Sequence, residues 1–395
     1  MIGRARTRML AVASGTLLLS VLVWFNYSAV LPLVVDDWGL SGVAAGVIFG
    51  AFQAGYLLAI VPMGMLADRH SPRWVVASGA TVTGVASLGF ALLAAGFLTG
   101  TALRFVAGLG MAGVYVPGMR FVTDWYAEAD RGRAMGIYVG SFSLSSGLSF
   151  LLSSSIAAAV DWRTAIAATS VAALLAGPLI LGLGRDAPDT AAGDGDGFSL
   201  GVLRNRAYLA AVGVYSFHNW ELFGVRNWIT AFLLSTTAVA AAASPDALAG
   251  LLAGVMITVG GVGNLLGGAL SDRFGRTNVI ALGLGTSALV SLVLGSLDWL
   301  PLPALVALVL LYGVVLTMDS APTSTTVTEV VDDDHVGTAL SVQSFVGFTT
   351  TVVSPVVFGA VLDAHGFALA FPTLGVGAAV GVASLLALRR VARPA

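Results

Sequence analysis

The sequence predicts an all-α polytopic membrane protein in which about twelve transmembrane helices form two pseudo-symmetric six-helix bundles. Three observations lead to this prediction: a very apolar composition, a succession of long uncharged runs, and a hydrophilic loop that occurs once in each half. Of the 395 residues, 57% are hydrophobic and only 10% are charged, and the mean hydropathy is +0.91. Charged residues make up about a quarter of a typical soluble domain, so the composition excludes a soluble globular protein.

The uncharged runs are each long enough to cross about 30 Å of hydrocarbon, which takes roughly 20 residues of α-helix. They cover residues 9–35, 38–67, 74–103, 134–160, 164–184, 247–271, 277–297, 336–362 and 364–388. Further candidate spans, each containing one or two charged residues, are 101–121, 207–237 and 299–323. We expect each of these segments to form one transmembrane helix.

Arginine placement predicts the topology, because cytoplasmic loops carry an excess of basic residues. With the N-terminus inside, Arg163 is the arginine that falls in an outer loop. The arginines that fall in cytoplasmic segments are Arg4, Arg6, Arg8, Arg69, Arg73, Arg131, Arg133, Arg185, Arg204, Arg206, Arg273, Arg276, Arg389, Arg390 and Arg393. We therefore expect a multi-pass protein of the cell membrane (inner or plasma membrane) with both termini in the cytoplasm.

The chain also shows a duplicated plan. Residues 185–206 form a long hydrophilic connector rich in Asp, Gly and Ala, which is typical of a flexible linker. They predict an N-terminal six-helix bundle over 1–184 and a C-terminal six-helix bundle over 207–395. The loop "GMLADRHSPR" (64–73) lies between spans two and three, and "GALSDRFGRT" (268–277) lies between spans eight and nine. Such internal repetition is common in secondary transporters, which bind substrate between the repeats.

The repeated loop resembles the G-x-x-x-D-R-x-G-R signature of the major facilitator superfamily. The second copy fits it through Gly268, Asp272, Arg273, Gly275 and Arg276. The first copy keeps Gly64, Asp68, Arg69 and Arg73 but has Ser71 and Pro72 at positions where the family usually has Gly and Arg. In span four, "RFVAGLGMAG" (104–113) resembles the family's R-x-x-x-G-x-G motif. Span seven, "YSFHNWELFGVRNWITAFL", resembles that of a branch labelled cyanate-type or general permeases.

The resemblance implies a conformational latch at the cytoplasmic surface. It implies that Asp68 with Arg69, and Asp272 with Arg273, make contacts that exist in one conformer and break when the two halves rock. A solvated turn with topology-setting arginines is the alternative. Arg120 and Asp124 are four residues apart and can form an ion pair beside the latch; a substrate contact by Arg120 is the other interpretation.

The stretch "HNWELFGVR" (218–226) places three ionisable residues inside an apolar region. His218 lies about 18 Å along its helix from Arg206, near the middle of the membrane. Glu221 is three residues further on and shares a helix face with His218. We expect these two to form a proton-exchanging pair that faces a water-reached cleft, although a static polar contact between helices is the alternative. Arg226 lies nearer the outer end, where it can bind substrate or extend outward to water.

Other polar residues complete the predicted cavity. Arg104 and Arg120 lie in span four and Asp319 in span ten, and the resemblance implies that spans one, four, seven and ten line the cavity. The resemblance also implies a role in proton coupling for Arg104, because the arginine of this motif often has that role in the family. Neutral candidates for hydrogen bonds to a solute are Asn26, Tyr27, Gln53 and Tyr56; contacts between helices are equally consistent with them.

The sequence argues against other functions. It has no cysteine, and we find no H-E-x-x-H or G-x-S-x-G motif, no cluster of metal ligands and no phosphate-binding loop. "GLGMAG" (108–113) matches G-x-G-x-x-G, but it lies inside an apolar helix and predicts close helix packing, as do the spaced serines Ser141, Ser145, Ser149 and Ser153. We expect no enzyme activity, no cofactor, no metal and no nucleic-acid partner.

The residues and the resemblance together predict a secondary active transporter that moves a small organic solute by alternating access. Three intramembrane arginines against two carboxylates favour an anionic or zwitterionic substrate. We expect H⁺ as the coupling ion and a monomer in the lipid bilayer. The alternative is a proton-driven exporter of amphiphilic compounds, whose pocket would be mainly aromatic and apolar.

Overall fold

A computed structural model describes residues 2–188, 200–331 and 336–391, and helices provide the regular structure of these residues. Eleven helical segments there are long and apolar enough to cross a membrane, one of them the interrupted segment Leu302–Glu329. Helix α8 (Arg206–Ser235) is also 30 residues long, but its polar residues reduce its hydropathy. The prediction of an all-α polytopic membrane protein with about twelve spans is confirmed.

The helices follow one another with short connections. Those in the first half are α1 (Ile2–Ala29), α2 (Leu31–Trp38), α3 (Gly42–Arg69), α4 (Pro72–Leu93), α5 (Phe97–Trp125), α6 (Glu128–Ala159) and α7 (Trp162–Leu183). After the short 3₁₀ helix Leu200–Arg204 and α8 come α9 (Thr237–Ala240), α10 (Pro245–Phe274), α11 (Arg276–Leu294), α12 (Leu302–Val315), α13 (Ser320–Glu329), α14 (Val336–His365) and α15 (Phe367–Val391).

The chain divides into two compact units. Unit 1 comprises Met1–Leu40, Ala51–Asp194 and Asp246–Gly254. Unit 2 comprises Ser41–Gly50, Gly195–Pro245 and Val255–Ala395. The first residues of α3 therefore belong to unit 2, and those of α10 to unit 1. Within the predicted linker 185–206, residues 189–199 lie outside the described ranges.

In unit 1, serine hydroxyls fasten α6 to α1. Ser145, Ser149 and Ser154 donate hydrogen bonds to main-chain carbonyls of α1, at Leu18 (2.5 Å), Leu22 (2.6 Å) and Ala29 (3.2 Å) respectively. Ser141 instead donates to Ile137 in its own helix. Two of the four serines of the row, Ser145 and Ser149, therefore lie in a helix–helix contact, as small polar residues commonly do in membranes. The buried hydroxyl of Ser153 has no hydrogen-bond partner in the described part of the chain.

Glycines bring α3 and α5 close together in the same unit. A Cβ atom on Gly108 would collide with the carbonyl oxygen of Phe52, and one on Gly55 would collide with that of Phe105. Only glycine allows two helix backbones to approach this closely. The packing interpretation of "GLGMAG" therefore agrees with the geometry.

Polar caps define where two of the helices begin. Asp161 precedes α7 and accepts hydrogen bonds from the backbone N–H and the hydroxyl of Thr164, both at 2.8 Å. The backbone hydrogen bond from Thr164 lowers the pKa of Asp161 below its ordinary value. Asn205 precedes α8 and accepts from the backbone N–H groups of Ala207 (2.9 Å) and Tyr208 (3.1 Å). This cap fixes the position at which α8, the helix of "HNWELFGVR", starts.

The predicted tenth span is not one continuous helix. It runs as α12 to Val315, loosens, and resumes as α13 at Ser320. Pro322 supplies the reason, because proline cannot donate a hydrogen bond to the carbonyl four residues earlier, that of Met318, and its ring collides with that carbonyl. Thr317 turns its hydroxyl to the carbonyl of Gly260 on α10, at 2.6 Å. Asp319 therefore sits at the interruption of the span.

Candidate transport site

The ionisable side chains of α8 are buried within the protein. His218 is 4% exposed, Glu221 1% and Arg226 7%. Such values exclude a position on the outer surface of unit 2, where these side chains would face lipid. Arg226 therefore does not extend outward to water; its guanidinium lies 5.9 Å from the centre of the Phe223 ring. Buried charges at this depth normally face a bundle interior or a watery cavity.

His218 is bound by α13 rather than by its neighbour on α8. Its Nδ1 lies 3.0 Å from Oδ1 of Asp319, which is an ion-pair distance, and its Nε2 lies 3.0 Å from the hydroxyl of Ser320. Asp319 is 1% exposed. The two residues are a hundred positions apart in sequence, and the helix interruption places Asp319 against the imidazole. His218 therefore makes its ion-pair contact with Asp319, while Glu221 on its own helix acts on it as a nearby charge. The proton-exchanging role of His218 and Glu221 stays a prediction.

Glu221 has its own set of hydroxyl partners. Ser287 donates to Oε2 and Ser291 to Oε1, each at 2.7 Å, and Tyr312 donates to Oε1 at 3.4 Å. Ser291 and Tyr312 also hydrogen-bond to each other. These donors come from α11 and α12, so the carboxylate joins three helices of unit 2. Burial of a carboxylate is tolerated when its oxygens receive hydrogen bonds in this way.

Arg104 occupies the interior of unit 1 and is 1% exposed. Its Nη1 donates to the carbonyl of Val23 (2.9 Å) and to Oδ1 of Asn26 (3.3 Å), and its Nη2 donates to the carbonyl of Trp24 (3.1 Å). The guanidinium also lies 4.5 Å from the centre of the Phe52 ring. Within the described ranges Arg104 has no carboxylate within ion-pair distance, and its Nε has no hydrogen-bond partner.

Asn26 and Tyr27 both lie beside the guanidinium of Arg104. Besides accepting from Arg104, Asn26 donates its amide hydrogens to the hydroxyls of Ser87 (3.3 Å) and Thr169 (3.0 Å), so it links α1 to α4 and α7. The Tyr27 ring centre lies 5.6 Å from the guanidinium. Asn26 thus takes the helix-linking role that the sequence left open beside a solute contact.

Gln53 and Tyr56 are buried on α3. Gln53 is fully buried, and neither end of its amide has a hydrogen-bond partner in the described part of the chain. The ring centres of Tyr56 and Phe52 lie 4.9 Å and 5.3 Å, respectively, from the ring centre of Trp24. Phe142 adds a further ring at 5.2 Å from Trp24. Phe52 therefore belongs both to this cluster of rings around Trp24 and to the surroundings of Arg104.

The first loop motif pairs its aspartate across helices. Asp68 lies 3.2 Å from Arg120, and the Nε of Arg120 lies 2.9 Å from Asp124. The predicted i,i+4 pair of Arg120 and Asp124 is therefore present. Asp68 does not pair with Arg69, because consecutive residues of a helix point in different directions. Arg73 instead contacts Asp186 (3.8 Å) and the carbonyl of Gly184 (3.0 Å).

The second loop motif has a different arrangement. Arg276 pairs with Glu329 at 2.5 Å, whereas no ion pair links Asp272 with Arg273 in the described residues. Gly275 takes a positive φ of 84° between α10 and α11, a conformation that favours glycine. Gly64 and Gly268 have more space around them. A Cβ atom added to Gly64 would lie 3.8 Å from the Val116 side chain, and one added to Gly268 would lie 3.9 Å from the Ala321 side chain. The latch role of both loops stays a prediction.

A pocket of about 510 Å³ adjoins this second loop in unit 2. Its lining consists of Ser271, Asp272, Gly275, Arg276, Thr277, Thr326, Glu329, Val330 and Leu388. In the described residues no group of three or more His, Asp or Glu side chains is arranged to hold a metal ion.

Sequence reasoning did not identify the hydroxyl partners of the α8 residues. Ser287, Ser291 and Tyr312 lie on apolar helices whose polar positions are common in membrane proteins and carry no motif. Ser320 follows Asp319 directly, and Pro322 two positions later was the readable signal that the span is interrupted there.

The comparisons with known proteins identify the family. Residues 13–245 and 222–395 match the model of the Major Facilitator Superfamily. The chain belongs to this family, and the fold predicted from the repeated loop is confirmed.

Full-length relatives are also transporters. The chain is 27% identical to the probable sulfoacetate transporter SauU of Cupriavidus necator, across 92% of this chain and 88% of that protein. It is 22% identical to the hexuronate transporter of Bacillus subtilis, across 93% of this chain and 90% of that protein. This chain is therefore a secondary transporter embedded in a membrane by several spans, and it is not an enzyme.

Solved structures support the same fold. A bacterial homolog of the human lysosomal transporter Spinster, in an inward-facing and occupied conformation, aligns with a TM-score of 0.77 at 16% identity, covering 98% of this chain and 95% of that one. The nucleoside transporter NupG aligns with a TM-score of 0.78 at 13% identity, covering 98% and 100%.

Proposed function

We propose that this transporter carries a small organic anion by alternating access, driven by a proton gradient. The observation that carries the proposal is Arg104, a buried guanidinium that contacts carbonyl groups and aromatic rings but no carboxylate among the described residues. A buried charge without an opposite charge is costly. An anionic solute near Arg104 would supply the opposite charge, and the Nε that lacks a hydrogen-bond partner there would be a donor for it.

Arg226 is the second cation that supports an anionic substrate. It is buried in unit 2 and lies eight residues beyond His218 on α8, nearer the outer end of the helix. Arginine keeps its charge in almost every environment, and its planar group suits carboxylate, sulfonate and phosphate oxygens. We assign Arg226 to substrate binding in unit 2.

The names of similar transporters support the same substrate class. Besides sulfoacetate and hexuronate, they include hexose phosphate, in a probable transport protein of Chlamydia muridarum that is 22% identical over 42% of this chain and 36% of that protein. Each of these solutes carries a sulfonate, carboxylate or phosphate group. We therefore propose an organic anion of similar size.

Proton coupling is proposed from the buried ionisable groups of unit 2. His218 lies near the middle of α8 and contacts Asp319 at the interruption of span ten, and Glu221 is buried three residues further along α8. Ionisable residues inside a membrane commonly form proton pathways in transporters. The arginine distribution supports a location in the cell membrane with both termini in the cytoplasm.

Export of amphiphilic compounds is the second candidate function. The aromatic rings of Trp24, Phe52, Tyr56 and Phe142 in unit 1 favour it, because large apolar solutes bind well to such surfaces. The buried arginine beside these rings favours the anion instead.

Flux measurements in proteoliposomes distinguish the two functions. The purified full-length chain is reconstituted and given labelled sulfoacetate, labelled glucuronate or the cationic amphiphile rhodamine 6G, with and without an imposed pH gradient. We expect gradient-dependent movement of at least one anion and none of rhodamine 6G. Movement of rhodamine 6G alone would overturn the anion proposal, and anion flux unchanged by the gradient would overturn proton coupling.

Arginine variants test the substrate class directly. Arg226→Gln should raise the half-saturating concentration of the transported anion by about tenfold or more, since it removes a charge-assisted contact. Arg206→Gln is the matched control, because Arg206 is exposed at the start of the same helix. Equal affinity in the two variants would remove Arg226 from the site.

A further inference from the structure

The interruption between α12 and α13 creates a site at the centre of unit 2. Interrupted membrane helices often hold coupling ions or substrates, because their ends expose groups that a continuous helix uses internally. Here Asp319 immediately precedes α13 and lies against Gly283 on α11, where any side chain would press on its Cβ. Among the described residues the imidazole of His218 is the cationic group within ion-pair distance of its carboxylate, and the buried Oδ2 of Asp319 has no hydrogen-bond partner there.

His218 connects two partners of different chemistry. Nδ1 faces the carboxylate of Asp319, which when ionised accepts hydrogen bonds and cannot donate one. Nε2 faces the hydroxyl of Ser320, which can donate or accept a hydrogen bond. Nδ1 therefore keeps its hydrogen in both charge states of the ring. Nε2 is the nitrogen that can gain and lose a proton, with Ser320 changing from acceptor to donor as it does so.

Glu221 is held differently. Three hydroxyl groups from α11 and α12 surround its carboxylate. Ser287 can also turn to the carbonyl of Leu284, at 3.2 Å. Hydroxyls that can rotate in this way satisfy the carboxyl group whether or not it carries a proton, so the contact fixes α8 against its neighbours in both states.

We propose that His218 carries the coupled proton on Nε2, that Asp319 is its fixed counter-ion and that Ser320 passes the proton between Nε2 and water. Glu221 is a positioning residue that anchors α8 to α11 and α12. This division of roles rests on the proposed function as a proton-coupled transporter and names the residues that perform the coupling.

The proton transfer balances without any further reactant. In the protonated state the imidazolium donates through Nδ1 to Asp319 and through Nε2 to Ser320, and the pair is neutral overall. When the Nε2–H bond breaks, the proton passes to the Ser320 oxygen while the hydroxyl proton leaves to a water molecule. The proton that the Ser320 oxygen has received lies on its side facing Nε2, so the hydroxyl now donates to Nε2. The pair now carries one negative charge.

This charge change provides a link to an anionic substrate. Arg226 lies about 12 Å along α8 from His218, so an anion held there experiences a neutral pair before proton release and a negative pair after it. The charged groups that interact with His218 are Asp319, Glu221 and Arg226. Charged residues of the neighbouring α14 and α15, namely Asp363, His365, Arg389 and Arg390, lie at the ends of those helices.

Two transport assays separate coupling from binding. Counterflow of labelled sulfoacetate or glucuronate reports binding and the conformational cycle, whereas accumulation driven by a pH gradient also requires proton transfer. We expect His218→Gln and Asp319→Asn to keep counterflow and to lose gradient-driven accumulation by about tenfold or more. Glu221→Gln should keep both, with reduced thermal stability. Asp298→Asn and His365→Gln are exposed controls.

The assays also separate failure of this inference from failure of the proposed function. Full accumulation by His218→Gln, or loss of accumulation with intact counterflow in Glu221→Gln, would overturn the assignment of the proton to His218. Absence of anion counterflow in the unaltered protein would instead overturn the proposed substrate.

A measurement without substrate tests the site directly. The chain has 4 histidines, so ¹⁵N NMR of imidazole-labelled protein carrying His70→Gln, His335→Gln and His365→Gln reports on His218 alone. We expect the Nε2 signal to change between about pH 5 and pH 9 while Nδ1 stays protonated, and Ser320→Ala to alter the Nε2 signal. A neutral ring protonated on Nε2, or a ring that does not titrate, would overturn the proposal even if every variant folds poorly.

Discussion

The two units treat buried charge in different ways. Unit 1 contains Arg104, whose donors go to main-chain carbonyls and one amide. Unit 2 contains His218, Glu221 and Asp319, whose contacts are with each other's helices and with hydroxyl groups. An arginine keeps its charge, whereas imidazole and carboxyl groups exchange protons. Unit 1 therefore holds a permanent charge in Arg104, whereas unit 2 combines the permanent charge of Arg226 with groups whose charge can change.

The largest expected effect on stability comes from removing the permanent charge of Arg104 in unit 1. Arg104→Met leaves the carbonyls of Val23 and Trp24 and the amide oxygen of Asn26 without their donor. We expect the free energy of unfolding to fall by about 2–4 kcal/mol, measured by denaturant unfolding in detergent micelles. The exposed Arg206→Met should change it by less than about 0.5 kcal/mol. Equal stability of both variants would show that Arg104 is not held as described.

A somewhat smaller effect should follow from changes at Glu221. Glu221→Leu removes the shared acceptor of three buried hydroxyls. Ser287 can turn to the Leu284 carbonyl and one of Ser291 and Tyr312 can donate to the other, so one hydroxyl is left without an acceptor, for an expected loss of about 1–3 kcal/mol in unfolding free energy. Glu221→Gln retains one acceptor oxygen and should lose about 1 kcal/mol. The same detergent unfolding experiment measures both. If the two variants lose equal stability, the hydroxyl groups do not depend on Glu221, and the contrast between the units becomes weaker.

Close packing sets the position of Phe52 beside Arg104. Gly108→Ala would place a methyl group on the Phe52 carbonyl, and we expect a loss of about 1–2 kcal/mol. Gly136→Ala in α6 is the matched control, because an added Cβ there meets open space; it should be neutral or stabilising by up to about 1 kcal/mol. Thermal unfolding of the two variants in parallel decides the matter, and a stabilising Gly108→Ala would contradict the close approach.

The smallest effect concerns the helix caps, where the contrast between the units is reversed. Unit 1 caps α7 with the titratable Asp161, and unit 2 caps α8 with the neutral Asn205. The lowered pKa of Asp161 means that its contribution is complete above the pKa of the unfolded chain and is lost as the pH falls through the folded value. Asp161→Ala should cost about 1 kcal/mol near pH 7.

That cost should become smaller in acid. Unfolding of Asp161→Ala and the unaltered protein at pH 7 and at about pH 3 tests the sign. Asp161→Asn is the control, because asparagine caps a helix without titrating. A difference that grows on acidification would contradict the capping role.

The spans could be predicted from the sequence because hydropathy is a local property, whereas the orientation drawn from arginine placement stays a prediction. The positions of Arg104, Glu221 and Asp319 within spans were equally readable. Their partners were not, since a 3.6-residue period shows which residues share a face but not which helix that face contacts. His218 was therefore paired with Glu221, its neighbour on the helix, when its partner Asp319 lies on another helix. Pro322 was the one local signal that could have located the interruption of span ten.

The serines of α6 have a consequence for how the two helices vary. Their hydroxyls bind oxygen atoms that every amino acid possesses, so the contact does not depend on which side chains stand at positions 18, 22 and 29 of α1. These hydrogen bonds therefore tolerate exchange of the side chains at these three places, while packing still restricts the buried Leu22 and Ala29. Replacement of Ser145 or Ser149 removes the donor itself, so we expect less sequence variation at these two positions of α6 than at their partner positions on α1.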